Sequence, residues 1–281
     1  MSHREGAVAK GFRTDLRRWR QLVSVDWLAA LLAGEPVPAA PTLDCQLFDV
    51  ACDGLEAFLA GHIPGAQYLD TRQFEHLPFW NKVPDAELLR VLQQLGMGPN
   101  STVILYGRNM LAAARVAHLM LVAGVQDVRL LDGGLTAWCA ASHALRQGPE
   151  AERRLFATAA SSEKVVADAD ANNADPAPPL RFAAHPEYLI DTARARALLD
   201  TAGSALVSIR TRAETLGETS GYRYIQARGE IDGALWGHAG EEGDVNSMSN
   251  LQDARGRMKP AAEIAALWNE AGIRSDMHLA F

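Results

Sequence analysis

The chain carries only three cysteines in 281 residues: Cys45, Cys52 and Cys139. So sparse and odd a set is no disulfide framework, and it fits a reducing compartment. No two of them form a Cys-x-x-Cys pair and no His/Cys cluster has ligand spacing, so no metal site is expected. No run of about 18 apolar residues is present to cross a bilayer, and Met1 to Arg20 lacks the apolar core of a secretory signal. Basic residues are the minority, 27 Lys and Arg against 34 Asp and Glu, for a net charge of −7. That balance argues against a general nucleic-acid binder, because neutralising phosphates takes clustered cations. The one basic cluster, Arg13, Arg17, Arg18 and Arg20, reads as a solvated terminal helix. These absences leave a cytoplasmic protein with no membrane, nucleic-acid or cofactor partner; the sequence is silent on oligomeric state.

What is present is a globular composition, 48% apolar and 22% charged, long enough for two domains of roughly 100–200 residues each. Ala169 to Pro179 (ADANNADPAPP) has no apolar periodicity, and a segment of that kind buries too little surface to order itself. It marks a linker over 147–186, preceded by an N-terminal extension over 1–21 and a domain over 22–146, and followed by a second domain over 187–281.

The two blocks echo each other. Pro84 to Leu95 reads as a helix with Leu88, Leu89, Leu92 and Leu95 on one face and Gly96 as its stop. Pro260 to Ala271 repeats it, with Ile264, Leu267 and Trp268 inward and Gly272 as the stop. A short apolar strand follows each, Thr102–Tyr106 and His278–Phe281. Earlier in each block a strand precedes a Gly-Ala turn: Leu47–Val50 before Gly65-Ala66, and Ala205–Ile209 before Gly233-Ala234. In the first block Met110 to Ala123 adds an apolar helix closed by Gly124, and Val128–Leu131 a strand. Strands alternating with helices of this length indicate an α/β fold, a parallel sheet flanked by helices.

Three motifs resemble those of the rhodanese-homology family. Gly61-His62-Ile63-Pro64-Gly65-Ala66 is similar to its first signature, and Leu131-Asp132-Gly133-Gly134-Leu135-Thr136-Ala137-Trp138 to its closing one, with Leu135 where Trp is usual. Gly229-Glu230-Ile231-Asp232-Gly233-Ala234 is a looser copy of the first. Residues 22–281 as a whole resemble the last two domains of a multi-domain sulfurtransferase of that family, most clearly at Val103–Arg108, Ala112–Ala117, Asp127–Gly134, Leu206–Arg210 and Thr219–Tyr222.

The resemblance implies tandem rhodanese-like domains and a sulfurtransferase. In active members a cysteine opens a helix just past a central strand, where backbone N–H groups favour the thiolate. It takes a sulfane sulfur from thiosulfate or a similar small anionic donor as a persulfide and passes it to a thiol or cyanide. Here Gly107 occupies the nucleophile position of the first domain, so that domain is non-catalytic. Aligning the blocks sets Phe281 opposite Leu105, so the second domain is expected to be truncated before its active-site loop, the cysteine falling two positions beyond Phe281. The 281 residues alone are then inactive, with no catalytic residue among them. Arg210 matches the family's substrate-side arginine, although Ser208 replaces the usual Asp; the bland alternative is a surface arginine paired with Glu214. His62 reads as a turn histidine bound to local backbone, Asp49 as structural, and Trp138, Cys45 and Cys139 as buried apolar side chains. Cys52 reads as an exposed bystander, and Arg108 as a solvated loop charge or an anion-binding one. The alternative function is a catalytically silent rhodanese-like binding or regulatory module.

Overall fold

The computed structural model describes residues 11–41, 44–150, 183–222, 224–240, 243–245 and 247–281. The chain divides into two compact units at Tyr188/Leu189.

The first unit begins with a short edge strand β1 (Leu22–Val23) and helix α1 (Val25–Leu32), whose N-cap Ser24 accepts a hydrogen bond from Trp27 N at 3.1 Å. Next come β2 (Cys45–Ala51), α2 (Leu55–Ala60) and β3 (Ala66–Asp70). A small antiparallel pair, β4 (Glu75–His76) and β5 (Asn81–Lys82), precedes α3 (Asp85–Gln94). The rest is β6 (Thr102–Tyr106), α4 (Met110–Ala123), β7 (Asp127–Leu131) and α5 (Gly134–Ala140). Five strands form one sheet in the order β1-β7-β6-β2-β3, with every pairing parallel.

Alternation along the central strands sends side chains to two cores. Phe48, Val50, Val103 and Leu105 join Leu88 and Leu92 of α3 and Ala113, Val116 and Met120 of α4 on one face. Cys45, Leu47, Ile104 and Tyr106 meet Trp27, Leu28 and Leu31 of α1, Phe58 of α2 and Trp138 of α5 on the other. At about 25 cal/mol per Å2 of apolar surface removed from water, these two layers supply the main stabilisation of the unit. The apolar run of α4 stops at Gly124, whose φ of 101° is left-handed backbone that glycine adopts freely.

The expected terminal helix around Arg13–Arg20 is instead a 3-10 turn at Trp19–Gln21. Phe12 and Trp19, edge to face at 4.9 Å, hold this stretch against the core. Of the expected linker, 151–182 lies outside the described residues. Both its ends dock on the first unit: Gly148 N donates to Leu59 O at 2.8 Å and His185 N to Val122 O at 2.8 Å.

The second unit runs α6 (Thr192–Leu199), β8 (Ser204–Ser208), α7 (Arg212–Thr215), β9 (Leu235–Trp236), α8 (Ala261–Glu270) and β10 (His278–Ala280). Its parallel sheet has the order β10-β8-β9. Ala205, Val207 and Ile273 form a small core, with Ile209, Leu235, Trp268 and Leu279 partly buried around it. The expected inward face of α8 is only half covered: Ile264, Leu267 and Trp268 are each partly exposed.

The registers of the two sheets correspond. Phe48↔Gln67 and Asp49↔Tyr68 across β2 and β3 repeat as Val207↔Leu235 and Ser208↔Trp236 across β8 and β9. Gln46↔Val103 across β2 and β6 repeats as Ala205↔Leu279 across β8 and β10. Ser208 therefore holds the sheet position of Asp49, the loop 229–234 that of 61–66, and Glu230 that of His62.

Candidate functional site

In parallel α/β sheets the loops beyond the carboxyl ends of the strands carry the chemistry. At that end of the first sheet, β6 passes through Gly107-Arg108-Asn109 into α4. Asn109 caps the helix with its own side chain, accepting from Leu111 N at 2.9 Å. Gly107 O accepts from Leu135 N at 3.2 Å, which ties the loop to α5. A Cβ added to Gly107 would lie 2.7 Å from Val50 O and 2.9 Å from Asn109 O. Both are backbone atoms, so the loop has closed around the bare Cα and leaves no room for a side chain of any kind.

Arg108 fills the adjacent space. Its Nη1 donates to Asp49 Oδ2 at 2.9 Å, and its Nη2 to Ala57 O at 2.7 Å and to Gly61 O. Arg108 is therefore more than a solvated loop charge: its side chain stays 37% exposed, but its guanidinium is held at three points. It is a part-exposed cation that joins β2 to the end of α2. Asp49 is 1% exposed. Burial pushes its carboxyl up and Arg108 pulls it back, with a net rise. Burial and the neighbouring Asp49 likewise raise the Tyr106 phenol, whose oxygen accepts from Ile63 N at 2.9 Å. His62 is fully buried, stacked on Phe58 at 4.0 Å with Nδ1 3.0 Å from Phe58 O, as a turn histidine bound to backbone. Its Nε2 lies 3.7 Å from Glu150 Oε2. Chemically this cluster is a buried carboxylate paired with a part-exposed arginine beside a loop that is closed at Gly107.

The second unit is built differently. β8 ends at Ser208, and Arg210 follows at the carboxyl end of the sheet. Arg210 Nε donates to Ser208 Oγ at 2.9 Å, and Nη2 to Gly229 O at 2.8 Å and Glu230 Oε1 at 2.9 Å. Nη1 has no hydrogen bond among the described residues, and the side chain is 30% exposed. The expected pairing with Glu214 is not made. Glu214 is buried and spent on a capping box, Oε2 accepting from Thr211 N at 3.1 Å and from Thr211 Oγ1 at 2.9 Å. Trp236 Nε1 donates to Arg210 O at 2.8 Å and stacks on His238 at 3.8 Å, walling one side. Neither Arg108's turn inward to Asp49 nor Glu230's part was legible in sequence, because each pairing joins residues far apart in the chain.

The cysteines lie apart from both places. Burial in β2 pushes the Cys45 thiol up to about 12, which leaves it unionised near neutrality. Cys52 is exposed beside a loop whose N–H groups are already taken: Asp53 N donates to Asp70 Oδ2 and Gly54 N to Tyr68 Oη. Cys139 is exposed on α5, contrary to the burial expected of it, because it faces away from the side of the helix that carries Trp138 into the core. Trp138 is buried as expected. Among the described residues no helix is long and apolar enough to cross a membrane.

A closed strand-loop-helix turn on one sheet and an anchored arginine at the same end of another define a class. Residues 24–141 match the Rhodanese-like domain family, and the chain belongs to the rhodanese family. The "Thiosulfate sulfurtransferase YnjE" of Escherichia coli is 40% identical over 266 residues, covering 95% of this chain and 56% of that protein. The crystal structure of YnjE matches with a TM-score of 0.81 at 39% identity, over 94% of this chain and 58% of that one. The anaerobic ergothioneine biosynthesis enzyme from Chlorobium limicola, solved with trimethyl histidine, matches with a TM-score of 0.77 at 30% identity, over 95% and 61%. The chain spans less than two thirds of the length of these relatives.

Proposed function

We propose that this chain comprises two rhodanese-like domains of a cytoplasmic sulfurtransferase that moves a sulfane sulfur from thiosulfate or a similar donor to a thiol or cyanide. In that reading residues 22–146 are the non-catalytic domain, 147–186 the linker and 187–281 the part of the second domain that precedes its active-site loop. A cysteine thiolate attacks the sulfane sulfur, the S–S bond of the donor breaks, and sulfite leaves with the electron pair. The acceptor then attacks the outer sulfur of the persulfide and the thiolate departs. Arg210 holds the anionic donor through Nη1 by a charge-assisted bond. The thiolate belongs two positions past Phe281, outside these 281 residues.

The observation that carries the reading is the shared register. With Ala280 opposite Leu206, a strand continued two residues past Phe281 delivers its loop to the sheet end where Arg210 stands, as β6 delivers Gly107 to the end where Asp49 stands. The closed loop at Gly107 favours a silent role for the first domain in either reading, and the competing function is a binding or regulatory module with no thiolate at all. The test is a thiosulfate-to-cyanide assay on the protein as its source makes it, run beside the 281-residue polypeptide. Thiocyanate from the former and none from the latter is expected. Thiocyanate from the 281 residues overturns the nucleophile assignment, and none from either favours the binding module.

A further inference from the structure

We propose that Glu230 is the positioning residue for Arg210, supplying from the Gly229–Ala234 loop the carboxylate that the first unit carries on its strand as Asp49. The inference deepens the reading of Arg210 as the donor-binding residue and rests on it for its functional half.

By register, Ser208 stands where Asp49 stands and Glu230 where His62 stands. Acid and neutral or basic residue have changed places: the first unit has its acid on the strand and a histidine in the loop, the second a serine on the strand and the acid in the loop. Each unit nevertheless gathers one guanidinium and one carboxylate around the first carbonyl of that loop. In the first unit Arg108 reaches Asp49 Oδ2 and Gly61 O. In the second Arg210 reaches Glu230 Oε1 and Gly229 O. The arginines come from different strands, since Ala51 holds the position of Arg210 in the first unit, yet both end on the equivalent carbonyl.

The physical need is plain. A half-buried guanidinium held only by a hydroxyl and a carbonyl carries its charge uncompensated, which a low-dielectric setting penalises. Ser208 offers Oγ and no charge, so Glu230 supplies the counter-ion. Glu230 is itself fixed, because Oε1 also accepts from Ile231 N at 3.0 Å. Three acceptors on two elements hold Nε and Nη2, which orients the planar fork and leaves Nη1 to an anion. Because Arg210 Nε already meets Ser208 Oγ, an aspartate at 208 would bring a carboxylate to the same guanidinium from the strand side.

The test uses the full-length protein. Glu230→Ala is expected to raise KM for thiosulfate about tenfold with kcat within about twofold of the parent, the signature of lost ground-state binding. The double variant Ser208→Asp/Glu230→Ala is expected to restore KM. Loop damage of a merely structural kind would not be rescued by a carboxylate on another strand, so failed rescue overturns the proposal, as does an unchanged KM in Glu230→Ala. The side-chain Nη2–H resonance of Arg210, the group that meets Glu230 Oε1, followed by NMR in the same proteins, gives a readout independent of turnover. It should be protected from exchange in the parent, lost in Glu230→Ala and recovered in the double variant. That pattern in a protein that transfers no sulfur supports the positioning role while defeating the functional reading of Arg210. If Glu230→Ala does not fold, Glu230→Gln keeps the shape and removes the charge, and a parental KM and parental protection there overturn the role of the carboxylate.

Discussion

Gly107 sits where β6 hands over to α4, with the carbonyls of Val50 and Asn109 on either side of the point a Cβ would occupy. Space rather than torsion governs this position, so Gly107→Ala should cost about 1–3 kcal/mol in urea denaturation, as overpacking does. Gly107→Cys should cost as much and gain no sulfur transfer, since the backbone closes on the point its Cβ would occupy. Next door, Arg108→Ala strips the counter-ion from a buried carboxylate. Loss of a fully buried partner costs about 3–5 kcal/mol, and the partial exposure of Arg108 reduces that to about 2–4 kcal/mol. The pH dependence has a definite sign. Burial already holds the Asp49 carboxyl above its ordinary range, and losing Arg108 lifts it further. A carboxyl that binds its proton more tightly folded than unfolded contributes stability at low pH and loses it as pH rises through the folded value. The stability gap between the parent and Arg108→Ala should therefore widen from about pH 4 towards neutrality. A gap independent of pH would show that Asp49 does not carry the effect.

Among the elements, those with strong periodicity and a clear stop were legible in the sequence. The alanine-rich run Met110–Ala123 closed by Gly124 is a helix with those bounds, and both Pro-to-Gly helices appear one residue shorter at each end. The two-residue strands β1, β4, β5 and β9 carry no period to read. The arginine-rich stretch before β1 was expected as a solvated helix, but Phe12 and Trp19 pack it as an irregular strap. Of the candidate site, the places of Arg210 and Gly107 at the carboxyl ends of their sheets were legible from motif alignment. The pairings of Arg210 with Glu230 and of Arg108 with Asp49 were not, since tertiary contact decides both. α7 shows how a short element survives beside this site. Its four residues cannot propagate a helix alone, and the reciprocal Thr211–Glu214 capping box holds it together. Thr211→Ala should destabilise the second unit by about 1–2 kcal/mol in thermal or urea unfolding, because Glu214 is 2% exposed and keeps fewer partners. A neutral result would mean that backbone hydrogen bonds alone suffice for α7.

At the scale of the whole chain, the two units answer the same topology with different chemistry. The first has an extensive two-sided core and a loop whose backbone closes on Gly107, which suits a scaffold. The second has a small core and an arginine anchored with one edge unpaired, which suits the binding of an anion. The reading that joins them is sulfur transfer through a cysteine that is none of the three seen here. The most direct measurement is to incubate the protein as its source makes it with thiosulfate and locate the added sulfur by peptide mass mapping. The account predicts one additional sulfur atom on a single cysteine other than Cys45, Cys52 and Cys139; sulfur on any of those three, or on no cysteine, would contradict it.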